Sequence, residues 1–84
     1  MTRINTITHF LAGGRKTPVR NGYRGQFFIT ENWTASHEFP GRESVAPGET
    51  AASVVTFPND HEVAPGTRFE IREGRKIVAT GVVT

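Results

Sequence analysis

The chain is cut at short intervals by steps that bend a backbone. They fall at Gly13-Gly14, Asn21-Gly22, Pro40-Gly41, Pro47-Gly48, Pro65-Gly66 and Glu73-Gly74. Two of them sit in near-identical hexamers, VAPGET at 45–50 and VAPGTR at 63–68. Proline presets the first central position of a turn and glycine supplies the positive φ of the second, so both predict type II turns. The shared hexamer is turn chemistry, not a repeat architecture. Between the steps no window sustains the i, i+3, i+4 apolar spacing of an amphipathic helix. β-Branched and aromatic residues gather instead in short runs, which predicts an all-β chain.

Six strands are predicted, over residues 3–10, 26–30, 34–39, 50–57, 67–72 and 76–83. The fifth alternates cleanly, with Phe69 and Ile71 on one face and Arg68, Glu70 and Arg72 on the other. The sixth is apolar on both faces: Ile77, Ala79, Gly81 and Val83 on one, Val78, Thr80 and Val82 on the other. That pattern suits a central strand, with Gly81 permitting a close approach or a bend. The tight turn at Glu73-Gly74 makes the last two strands a hairpin. Six short antiparallel strands close most economically into a small barrel, which removes exposed edges. The expected core is Phe27 or Phe28, Val54, Phe69, Ile71, Ile77 and Val82.

Length and composition narrow the function classes. Eighty-four residues make a single domain, 1–84, able to bury about 60–65% of its unfolded surface in one core but not to enclose a deep cleft. There is no cysteine, and His9, His37 and His61 lack ligand-like spacing, so no metal site and no cofactor are expected. No carboxylate pair or Ser/His constellation suggests catalysis. MTRINTITHF lacks the apolar stretch of a signal peptide and no run is long enough to span a bilayer, so the expectation is a cytoplasmic protein without a membrane partner.

Charge is unevenly placed. Residues 1–24 hold Arg3, Arg15, Lys16, Arg20 and Arg24 and no acid. Residues 25–67 hold Arg42 against Glu31, Glu38, Glu43, Glu49, Asp60 and Glu62, and the remainder is mildly cationic. If the two cationic segments lie side by side, the fold has a positive pole able to meet a polyanion; if apart, the charges are ordinary surface.

Three segments carry a longer signature: GGRKTPVRNGYRGQFFI, FPGRESVAPGETAASVV and PGTRFEIREGRKIVATGVV. In order and spacing they resemble the C-terminal domain (domain III) of elongation factor Tu. Its hallmarks are a GGRxTP segment, GYRPQF, a (V/M)xPGDN-like turn and RFAIREGGRTVGAGVV. The likeness extends over nearly the whole chain, with small deletions before Gly13 and between Thr30 and Pro47. It implies a six-stranded antiparallel barrel that packs on a GTP-binding domain and contacts the T stem of tRNA and the nucleotide-exchange factor. No GxxxxGK[ST] motif is present, so GTP hydrolysis is not carried over.

Residue by residue, the resemblance implies RNA contact at Arg15 of the GGR segment, Gln26 of the GYRPQF match, and Glu73 and Gly74 of the REGG match. Thr34 or Ala35 matches a threonine contact. Lys16, and Arg75 where the family has glycine, extend the cationic rim. Gly25 stands where the family has proline, and Asn59 where it has lysine. Arg, Gln and exposed backbone N–H groups suit A-form RNA, read through phosphates and 2′-hydroxyls in its shallow minor groove; DNA is not an expected partner. Each residue also has a plain structural reading: Arg15 and Lys16 as a solvated loop, Tyr23 and Arg24 as rim packing, Trp33 as a half-buried turn residue. Two functions follow. One is an RNA-binding module of translation; the other is a barrel that docks on a translation GTPase domain or exchange factor through an exposed apolar patch.

Overall fold

The turns that punctuate the sequence form as their chemistry requires. In the computed structural model, which describes all 84 residues, Gly48 and Gly66 have φ of +90° and +89°. The amides of Glu49 and Thr67 donate to the carbonyls of Ala46 and Ala64 at 3.0 and 3.2 Å. Both Pro-Gly steps are therefore type II turns. They separate short strands, and no helix is present that could cross a membrane.

Nine strands result: β1 (Thr2–Phe10), β2 (Val19–Arg20), β3 (Gln26–Phe28), β4 (Asn32–Trp33), β5 (Ser36–Glu38), β6 (Ser44–Val45), β7 (Thr50–Phe57), β8 (Arg68–Glu73) and β9 (Lys76–Val83). Seven form one antiparallel sheet in the order β4-β3-β8-β9-β1-β7-β5, and β2 pairs with β6 apart from it. The predicted third strand, 34–39, contracts to one piece, β5, which pairs with β7, and a second piece ahead of that range, β4, pairs with β3. These pieces are opposite edges of the sheet, yet only Thr34 and Ala35 separate them along the chain.

That crossing forces the shape. Three Cα steps reach at most ~11 Å, whereas the edges of a flat seven-stranded sheet would lie ~29 Å apart. The sheet must curl, and Tyr23, just before β3, meets His37 of β5 in an isolated antiparallel bridge. His37 N–H donates to the Tyr23 carbonyl at 2.8 Å and Gly22 N–H to the His37 carbonyl at 3.0 Å. The architecture is a strongly curled half-barrel tied at one point. The continuous ladder of a closed six-stranded barrel is not formed.

The concave side holds a core that includes Phe10, Phe27, Phe39, Phe57, Phe69, Ile71 and Val78. Phe27, not Phe28, faces inward. Three other core expectations are corrected. Val54 faces outward and is half-buried, because Ser53, Val55 and Phe57 take the inner face of β7. Ile77 and Val82 are half-buried as well. The register slips between Ile71↔Ala79 and Arg72↔Ile77, so a β-bulge at Val78 turns Val78 and Ala79 inward together. Gly81 does permit a close approach: a Cβ there would lie 2.4 Å from the Phe69 ring.

Ser53 is tolerated inside because it meets two threonines. The hydroxyls of Thr6, Thr8 and Ser53 bond one another at 2.7 to 3.3 Å and are fully enclosed. Each can donate to the next, so the ring satisfies itself. Thr6→Val alone is expected to cost about 1–2 kcal/mol in a denaturant titration, since it strands the remaining hydroxyls. The triple variant Thr6→Val/Thr8→Val/Ser53→Ala should recover most of that loss. A triple variant as costly as the sum of three single changes would show that the ring contributes more than mutual satisfaction.

Candidate nucleic-acid interface

Strand pairing builds the site. Gln26 starts β3 directly opposite Arg72 of β8, and Glu73 pairs with Lys76 across the hairpin. The two-residue loop Gly74-Arg75 has Gly74 at its first central position with φ +63°, as a type II′ turn requires. Gln26, Glu73 and Gly74 therefore share one groove, whose other walls are Tyr23, Arg24, Gly25 and Arg72. The sequence-predicted contacts at positions 26, 73 and 74 are brought together.

Arg15 reaches the same turn from the glycine loop, but its guanidinium is engaged. It pairs with the Glu73 carboxylate, donates to the Thr17 carbonyl at 3.2 Å and hydroxyl at 3.1 Å, and lies 5.1 Å from the Tyr23 ring centroid. The Tyr23 hydroxyl also donates to Glu73. Partial desolvation pushes the Glu73 carboxyl upward, but the Tyr23 hydroxyl and Arg15 outweigh it and hold the group below the usual carboxylate range. Burial, then Glu73, pushes the Tyr23 phenol above its ordinary value. Glu73 is thus an anchored anion that fixes Arg15 and Tyr23, a role two residues 58 positions apart do not announce in sequence.

Tyr23 packs edge-on to Phe10 and lies against His37, the rim packing read from sequence. It can do so because residue 25 is glycine: a Cβ there would fall 2.5 Å from the tyrosine ring and 2.6 Å from Ile71 Cγ2. His37 is fully buried and bonds the Gly25 carbonyl through Nε2 at 2.8 Å, while Nδ1 has no partner. Nε2 therefore carries the proton. Burial, only partly opposed by Gly25, lowers its pKa from 6.5 to about 4.

Thr34 is exposed at the β4–β5 crossing and Ala35 is buried, so Thr34 alone of the two presents a side chain to solvent. It lines a second groove with Arg24, Ser36 and Thr56. Lys16 and Arg75 are exposed and line neither groove. Arg24, read from sequence as rim packing, is exposed and lines both. The signal for it was its place between Tyr23 and Gln26.

Met1 and Ile7 are the exposed large hydrophobics. Trp33 stacks on His61 at 4.0 Å and donates to Glu31 at 3.0 Å, and the Arg72 guanidinium covers Phe28 at 3.6 Å. Compared with known families, the chain matches the model described as the elongation factor Tu C-terminal domain over residues 3–84.

Proposed function

The chain belongs to the elongation factor Tu C-terminal domain family, and from that premise we propose that it is a non-catalytic module of translation that grips A-form RNA, the T stem of tRNA in particular. The observation that carries this reading is the register that sets Gln26 beside the Glu73-Gly74 turn, with Thr34 in the adjoining groove. An amide, an exposed turn and a hydroxyl can bond phosphate oxygens and 2′-hydroxyls, and the exposed cations Lys16 and Arg75 add positive charge to the surface. The Glu73 carboxylate, which would otherwise repel phosphate, is neutralised by Arg15.

Binding is expected to be weak and electrostatic, because one small rim makes few phosphate contacts. Titrating an RNA hairpin of T-stem sequence at low and physiological salt should give a log–log slope of about −0.7 to −0.9 per phosphate neutralised. Gln26→Ala should lower affinity with little change in that slope. Absence of binding at low salt would overturn the reading.

A further inference from the structure

We propose that Arg24 seats one phosphate group of the bound backbone at the junction of the two grooves. The inference rests on the RNA reading above and goes beyond it by assigning the principal cation.

The assignment starts from which charges are available. Four ion pairs engage the N-terminus, Arg15, Arg42 and Arg72, and Arg24 is in none of them. Of the two arginines lining the first groove, Arg72 is held by Glu70 and lies over Phe28. In the second groove Arg24 is the one basic side chain; the hydroxyl-bearing Thr34, Ser36 and Thr56 line it too, as does Met1, whose ammonium is paired with Asp60. The first groove adds the Gln26 amide. A guanidinium flanked by neutral donors suits a phosphate, whose oxygens accept several hydrogen bonds at once. The only carboxylate on either groove is Glu73, already bonded to Arg15 and Tyr23.

Position is supplied from below. His37 N–H bonds the carbonyl of Tyr23, and His37 Nε2 bonds the carbonyl of Gly25. One buried residue thus holds both chain neighbours of Arg24, so the arginine projects from a fixed backbone although its side chain is free. A fixed backbone leaves only the side chain to be ordered on binding.

The test uses the whole chain and the T-stem RNA hairpin, comparing wild type with Arg24→Gln, Arg24→Lys and Arg68→Gln. Arg68 is an exposed cation on β8 that lines neither groove, so its variant controls for net charge. Arg24→Gln is expected to weaken binding about tenfold and to flatten the salt slope by about 0.7–0.9, one phosphate's share. Arg24→Lys should keep the slope and recover part of the affinity, because lysine supplies the charge without the planar fork. Arg68→Gln should stay within about twofold of wild type. If wild type binds and Arg24→Gln behaves like Arg68→Gln, the Arg24 assignment falls and the RNA reading stands. If wild type does not bind at low salt, both fall.

Discussion

Replacing Phe27 by alanine is expected to cost about 3–5 kcal/mol, enough to unfold much of the population of so small a domain. Phe27 is fully enclosed, stacked on Phe69 at 4.4 Å, near-parallel to Trp33 at 6.1 Å and edge-on to Phe57 at 5.0 Å. Those partners come from β4, β7 and β8, so no single element can collapse into the vacated space. Phe28, one residue on, points to the other side under Arg72, and Phe28→Ala should cost only about 1 kcal/mol. Urea titrations followed by the fluorescence of Trp33, the sole tryptophan, would measure both. Equal costs for the two variants would refute the inward assignment of Phe27.

Acid should destabilise the fold before the carboxylates titrate. His37 is neutral when buried, with a folded pKa near 4 against 6.5 in the unfolded chain. Between those values the unfolded state takes up a proton that the folded state does not, so stability is complete above pH 6.5 and falls as pH falls. The loss should reach roughly 2 kcal/mol by pH 5 and roughly 3 kcal/mol once pH drops below 4. Glu73, Glu49 and Asp60, whose pKa values are lowered, give up stability only as pH falls below the ordinary carboxylate range, leaving pH 7 to 5 for the histidine. His37→Gln can still donate to the Gly25 carbonyl but cannot take the proton, so its stability should be nearly flat over that window. A wild-type midpoint in urea that does not move between pH 7 and 5 would contradict a buried neutral imidazole.

Local chemistry made much of this legible. Thr50–Phe57 and Lys76–Val83 begin and end where the apolar runs and glycine steps place them, and Phe69 and Ile71 face inward as their alternation requires. The Pro-Gly turns follow from two residues each. What escaped was set by partners distant in sequence. Ser53 looks like an outward residue until two threonines of β1 meet it. The bulge at Val78 reverses the inner face of β9 and leaves no mark on an apolar run. β2 and β6 are two residues each, too short for any period to register. The family motifs named Gln26, Glu73 and Gly74, and strand pairing puts those three in one groove. The pairing of Arg15 with Glu73 and the freedom of Arg24 depended on a curl no local pattern encodes.

The place of β1 in the sheet also sets an order of events. It lies between β7 and β9, pairing Thr6 with Ser53 on one side and with Val83 on the other. On a ribosome β1 emerges ahead of both its neighbours, and β9 emerges after the other eight strands. Phe27 likewise waits for Phe57 and then Phe69 before its stack can assemble. Closing a loop of that length is entropically unrewarded until the ladder behind it forms. Synthesis and folding of these strands are therefore out of step by construction: the sheet cannot be completed until β9 has emerged, because β1 waits for it.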